Sequence, residues 1–129
     1  MKCPQKRHEY VAQHAKVTGI YPTPFPSAVS TGVKREINWI HMPMPRNRTD
    51  DAYFAPLRRL QLHPETELYL GLVPFTDRVE GTRGRIASAQ QAVADFRVAT
   101  ECGMGRRNPE TIRELLRIHS EVAAPVQEH

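Results

Sequence analysis

The chain is expected to fold as an α/β protein, with about three consecutive βα units on a parallel sheet and an irregular segment ahead of them. Three observations carry that expectation. From Arg35 onward, short apolar and β-branched runs alternate with amphipathic stretches that can be capped as helices. The connections between them are short, and strands alternating with helices imply right-handed crossovers and a parallel sheet. The segment from Phe96 to Ile112 displays one unit in full. An apolar run ends at Glu101 and Cys102, a glycine-punctuated loop follows, and Asn108-Pro109-Glu110 supplies an N-cap, a first-turn proline and a first-turn acid. Open α/β sheets and β/α barrels place their chemistry at the carboxyl ends of strands.

The elements follow in order. His8 to Ile20 could make a short helix with Tyr10, Val11, His14, Val17 and Tyr21 loosely on one face. Pro22, Pro24 and Pro26 then favour extended or polyproline geometry, and residues 1–34 are expected to be the least ordered part. Ile37–Met42 reads as the first strand, ended by Pro43 and Pro45. Asp50 or Asp51 can cap a short helix carrying Tyr53, Phe54, Leu57 and Leu60, interrupted by Pro56 or starting near Ala55. Glu67–Val73 is the second and most apolar strand. A helix from Asp77 to about Val93 follows, with Asp77 and Glu80 at capping-box spacing and a buried stripe of Ile86, Ala89 and Val93. Gly81 and Gly84 weaken its first turns. Phe96–Thr100 is the third strand. The last helix, Pro109 to about Ala123, is expected to bury Ile112, Leu115, Leu116, His119 and Val122.

Length and composition bound the function classes. At 129 residues, the chain has room for one domain or part of one. Lys and Arg number 18 against 14 Asp and Glu, a net charge of +4. The cations are scattered, often beside acids, with no dense basic run and no aromatic-interleaved RNA-binding pattern, which argues against a nucleic-acid partner. No apolar run approaches the roughly 20 residues that span a bilayer, so no membrane partner is expected. The N-terminus lacks the apolar core of a signal peptide, and Cys3 and Cys102 form no close pair. Both features fit a cytoplasmic, reduced protein.

The strand ends collect the residues with chemistry. The first delivers His41, the second Thr76 and Asp77, the third Glu101 and Cys102. Adjacent parallel strands lie roughly 4.8 Å apart, so such side chains can converge on one ligand or metal. Each has a structural alternative. His41 could be a hydrogen-bonded core histidine. Asp77 could be a helix cap. Cys102 could be a buried, inert thiol, although its place before a helix N-terminus would lower a thiol pKa. The other histidines, His8, His14, His63, His119 and His129, have no ligand spacing among themselves.

Residues 35–126 resemble the C-terminal portion of the catalytic barrel of cobalamin-independent methionine synthase-like proteins, and most closely their short bacterial members. The resemblance rests on Trp39-Ile-His-Met-Pro-Met-Pro-Arg46, Leu68-Tyr-Leu-Gly-Leu-Val73 and Val98-Ala-Thr-Glu-Cys-Gly-Met-Gly-Arg-Arg107. It implies a partial (β/α)8 TIM barrel, roughly the last third of a fold that normally needs about 250 residues. It also implies zinc as cofactor, with Cys102 as a ligating thiolate. In that family zinc binds a thiol substrate, lowers its pKa and leaves the sulfur free to attack a methyl donor. Small-molecule thiol and methyl donor would then be the partners. Glu101 stands where the family has an acid beside the thiolate, and Asp77 falls on a substrate-facing loop, so both are candidate catalytic residues. His41 stands where better-characterised members place a glutamate ligand. The family's His-x-Cys ligand pair has no counterpart here, and Pro74-Phe75-Thr76 lacks the histidine found near that loop. Cys102 and His41 thus fall short of the three protein ligands usual in catalytic zinc sites.

On these grounds the chain is expected to be a truncated or remnant member of the family. Its open strand edges and the apolar faces that would pack inside a barrel predict association, or cover by residues 1–34 or another chain. The alternatives are a non-catalytic assembly module without metal and a small basic binding protein.

Overall fold

The computed structural model describes residues 24–123, and the expected helix at His8–Ile20 lies outside them. The first element, α1 (Pro24–Gly32), is a helix where the alternating prolines had suggested an extended chain. Pro24 and Pro26 occupy its first turn, where backbone N–H groups have no intrahelical acceptor and the missing donor costs nothing. Ser30, 1% exposed, explains where this helix docks. Its hydroxyl accepts the His63 N–H at 3.2 Å, and the Ser27 hydroxyl accepts that of Gln61 at 3.1 Å, so two serines one turn apart satisfy a loop that has no ladder of its own.

Strand β1 (Trp39–Pro43) starts two residues later than expected and runs into Pro43. Asp50 caps α2 (Asp51–Phe54), its carboxylate accepting the Tyr53 N–H at 3.0 Å. Pro56 then sits in the first turn of a 3-10 helix, Ala55–Arg59, which continues the same path. The interrupted reading of this helix is therefore the one observed. Strand β2 (Glu67–Val73), α3 (Arg78–Gln90), β3 (Arg97–Thr100) and α4 (Pro109–Ala123) complete the chain. A 3-10 turn, Met104–Arg106, follows Gly103, whose φ of 95° a side-chain-bearing residue rarely adopts. Asn108 caps α4 as expected, with Oδ1 accepting the Glu110 N–H at 3.1 Å.

The three strands form a parallel sheet in the order β1-β2-β3. Trp39 pairs with Glu67, His41 with Tyr69 and Pro43 with Gly71. Tyr69 pairs with Arg97 and Leu70 with Val98, and the register shifts before Val73 meets Thr100. Helices α3 and α4 pack on each other and on β2 and β3, so they share one face. Period-2 alternation sends Ile40, Met42, Leu68, Leu70 and Leu72 to that face, where Phe54, Leu57 and Ala89 close a core. Val73 continues it toward Leu115 and Ile118 of α4. At about 25 cal/mol per Å² this aliphatic layer is the main source of stability.

Several expectations about packing change. The expected stripe of α3 omitted Thr82 and Arg85, which are buried with Ala89 on its inner face. In α4 the buried residues are Leu115 and Ile118, while Leu116 is 51% exposed. The face of the sheet opposite the helices is not the aliphatic barrel lining expected. It carries Trp39, His41, Glu67, Tyr69, Gly71 and Arg97, because the first three odd-numbered positions of β2 are an acid, an aromatic and a glycine, and the register shifts before Val73. Trp39 meets Tyr69 edge-on at 6.3 Å between ring centroids and stays 62% exposed. Among the described residues no helix is long and apolar enough to cross a membrane.

Candidate functional site

The candidate site lies on this second face, at the carboxyl end of the strands. His41 leaves the middle of β1 on the face away from the helices. Its Nδ1 lies 3.8 Å from the Sγ of Cys102, which follows the last residues of β3. One strand, β2, lies between these residues in the sheet, so the imidazole has to cross it. Gly71 is the crossing point. A Cβ there would lie 3.0 Å from His41 Nε2, 3.4 Å from the Pro43 Cα and 3.4 Å from the Thr100 oxygen. A side chain there would require the ring to give by a few tenths of an ångström, and glycine admits this approach without it.

Packed beside Gly71, His41 Nε2 is buried without a hydrogen-bond partner. The other ring nitrogen faces the sulfur, and which atom donates depends on the tautomer. Cys102 is free and exposed rather than the inert buried thiol that its residue type favours. A soft sulfur and an imidazole nitrogen side by side are a donor pair suited to zinc or other late transition metals.

Glu101 is adjacent but turned to a different partner. Its carboxylate binds the Arg107 guanidinium, whose Nε is buried with no partner of its own. The pair ties the end of β3 to the loop that leads into α4, fixing the segment that carries Cys102. Below His41, the Tyr69 hydroxyl donates to Glu67 at 2.9 Å and Arg97 donates to the same carboxylate at 3.2 Å. The Tyr69 hydrogen bond, followed by that of Arg97, holds the Glu67 carboxyl below its ordinary range, and the Glu67 acceptor raises the Tyr69 phenol.

Asp77 does not join His41 and Cys102. It stands at the N-cap position of α3 but makes no side-chain cap. Both of its oxygens engage Arg85 instead, one at 2.7 Å from Nη2. Arg85 is 1% exposed and also donates to the Leu72 carbonyl at 3.0 Å and the Arg46 carbonyl at 2.8 Å. A bidentate bond to a buried cation is stronger than a neutral N–H contact at a cap, so the capping box predicted for Asp77 and Glu80 is displaced. The guanidinium holds the Asp77 carboxyl below its usual range. Gly81 makes the arrangement fit, since a Cβ there would collide with the Asp77 carboxylate. Asp77 and Arg85 thereby lock the β2–α3 loop, with Arg78 in the left-handed region at a φ of 53°.

Gly71, Arg85 and Arg107 were not singled out from the sequence. Alternation gave a usable signal for Gly71 and Tyr69, because the spacing that buries Leu68, Leu70 and Leu72 turns both to the His41 face. Arginine is rarely fully buried, and nothing local marks Arg85. No family model matches this chain, and no curated protein or solved structure is significantly similar to it.

Proposed function

We propose that this chain is a β/α-barrel segment of the cobalamin-independent methionine synthase type, contributing Cys102 and His41 to a thiol-handling centre. The observation that carries the reading is the approach of Cys102 Sγ to within 3.8 Å of His41 Nδ1, over a strand that has glycine at the crossing. Sequential parallel strands with helices packed on one face are also the way barrel segments are built.

Zinc is the metal that the family reading implies, and the fit is partial. Thiolate and imidazole are good zinc donors, but His41 Nε2 lacks the hydrogen bond that usually orients a ligating imidazole through its other nitrogen. Among the described residues, however, no group of three His, Cys, Asp or Glu side chains could hold a metal ion. Two donors do not complete a catalytic zinc site, so no step is assigned to a metal on these residues alone. What the chain itself supplies is a positioned sulfur, an imidazole that can accept or donate one hydrogen bond to it, and a loop held rigid by Glu101 and Arg107. Further donors, a thiol substrate and a methyl donor would meet this sheet from outside the described residues.

A second reading, a non-catalytic assembly module without metal, is favoured by that same short donor set together with the two sheet edges that no strand pairs among the described residues. Metal analysis of the purified full-length protein, combined with its mass in solution, separates the two. The barrel-segment reading expects bound zinc that is lost in Cys102→Ser. The assembly reading expects no zinc and a concentration-dependent mass that Cys102→Ser leaves unchanged.

A further inference from the structure

At the amino end of the strands, opposite Cys102, the loops that lead into β2 and β3 leave a concavity of about 490 Å³. Its rim is apolar and incompletely covered. Leu60, Leu62, Val93 and Phe96 line it and pack with one side against the core, yet all four stay partly exposed. Apolar side chains left half in water around a concavity gain from an apolar cover. Glu65 and Asp95 stand on the same rim, both exposed, and neither has an ion-pair partner among the described residues.

Helix α1 brings the chain to this place. The Ser27 and Ser30 hydroxyls accept the N–H groups of Gln61 and His63, the residues on either side of Leu62. The helix therefore lies along the wall of the concavity, and its first residue, Pro24, is one turn before Ser27. Tyr21 and Ile20 come three and four residues before Pro24. At about 3.3–3.6 Å per residue they reach roughly 10–14 Å from it, far enough to pass over the rim at Leu62. Residues 1–23 also carry Lys2, Lys6, Arg7 and Lys16 against one acid, Glu9, a charge opposite to that of the rim.

We propose that residues 16–21 of this same chain dock on the concavity. Ile20 and Tyr21 cover Leu62, Val93 and Phe96, and Lys16 stands beside Glu65 and Asp95. Because the segment is tethered at Pro24, its effective concentration is on the order of millimolar, and a few apolar contacts suffice to hold it. The docking is independent of the reading of His41 and Cys102 and lies at the other end of the sheet.

Limited trypsin digestion of the full-length protein, read by mass spectrometry, tests the proposal. Cleavage after Lys16 is expected to be at least about tenfold slower than after Arg7, since proteolysis follows the population of the open form. Glu65→Lys combined with Asp95→Lys should speed cleavage after Lys16 about fivefold, as two modest exposed pairs are lost, and leave cleavage after Arg7 unchanged. Tyr21→Ser should remove the protection and shift the backbone amides of Leu62, Val93 and Phe96, with those of α4 in place. Equal cleavage after Lys16 and Arg7 in the parent would overturn the proposal, as would variants that stay protected. Protection that weakens on dilution would assign the groove to a second copy of the chain and overturn it equally.

Discussion

His41 and Gly71 are sterically coupled, because the imidazole occupies the space a side chain at position 71 would need. Alanine at 71 should therefore cost stability despite its better backbone entropy. Overpacking typically costs about 1–3 kcal/mol, and alanine recovers roughly 0.5–1 kcal/mol over glycine inside a strand. A net loss of about 1 kcal/mol is expected in urea denaturation. In a His41→Ala background the loss should disappear, since the ring is the atom group that must give way. Equal costs in both backgrounds would contradict the crossing geometry.

Arg85 is the most consequential polar residue of the fold. Besides Thr82 on its own helix, its partners are Asp77 and the carbonyls of Leu72 and Arg46, which come from three other segments. Arg85→Ala should destabilise the protein by about 3–5 kcal/mol, measured by the denaturation midpoint at constant slope. Arg85→Lys should recover little of this, because a point charge cannot reproduce the planar fork.

The pH dependence follows from Asp77. Its carboxyl is held below the ordinary value by Arg85, so the unfolded chain binds that proton first as the solution is acidified. The stability it contributes is thus fully present above about pH 4–5 and is lost as pH falls through its folded value. Asp50 is depressed too, to about 2 by its hydrogen bond to Arg48, but it is solvent-exposed. The informative quantity is the stability gap between the parent and Asp77→Asn. It should be largest near neutrality, about 1–3 kcal/mol, and narrow as pH falls below about 4. A gap independent of pH would rule out the Asp77–Arg85 pairing as its source.

Two adjacent leucines in α4 should respond oppositely to truncation. Leu115→Ala opens a cavity at a fully buried position and should cost about 2–5 kcal/mol. Leu116→Ala, at a position 51% exposed, should stay within about 0.5 kcal/mol. Comparable losses at both would mean that the outer face of α4 is covered in solution.

The sequence carried the sheet well because its signals there are local. The run of Leu68, Leu70 and Leu72 leaves little choice of strand, and β2 has the expected ends. Asn108-Pro109-Glu110 likewise specifies a helix start by chemistry alone. The start of α1 was misread because prolines that forbid a helix interior are harmless in its first turn, and only position along the helix distinguishes the two. The His41–Cys102 approach was legible as strand-end geometry. Its dependence on Gly71 was not, since a glycine in a strand looks the same whether or not a ring lies over it. Arg85 and the diverted Asp77 carboxylate were hidden for a related reason. A buried arginine is specified by acceptors 39 residues away at Arg46 as well as nearby, and no helical periodicity encodes them.

The pairing of Cys102 with His41 is tested most directly by titrating the full-length protein with cobalt(II) as a zinc surrogate, following thiolate-to-cobalt charge-transfer absorption. The absorption should appear in the parent and vanish in Cys102→Ser. In His41→Ala and Gly71→Ala it should need at least about tenfold more metal, as removal or displacement of a ligand does elsewhere. A parent protein without the absorption, or a His41→Ala variant that titrates like the parent, would mean that the sulfur and the imidazole do not act as one site.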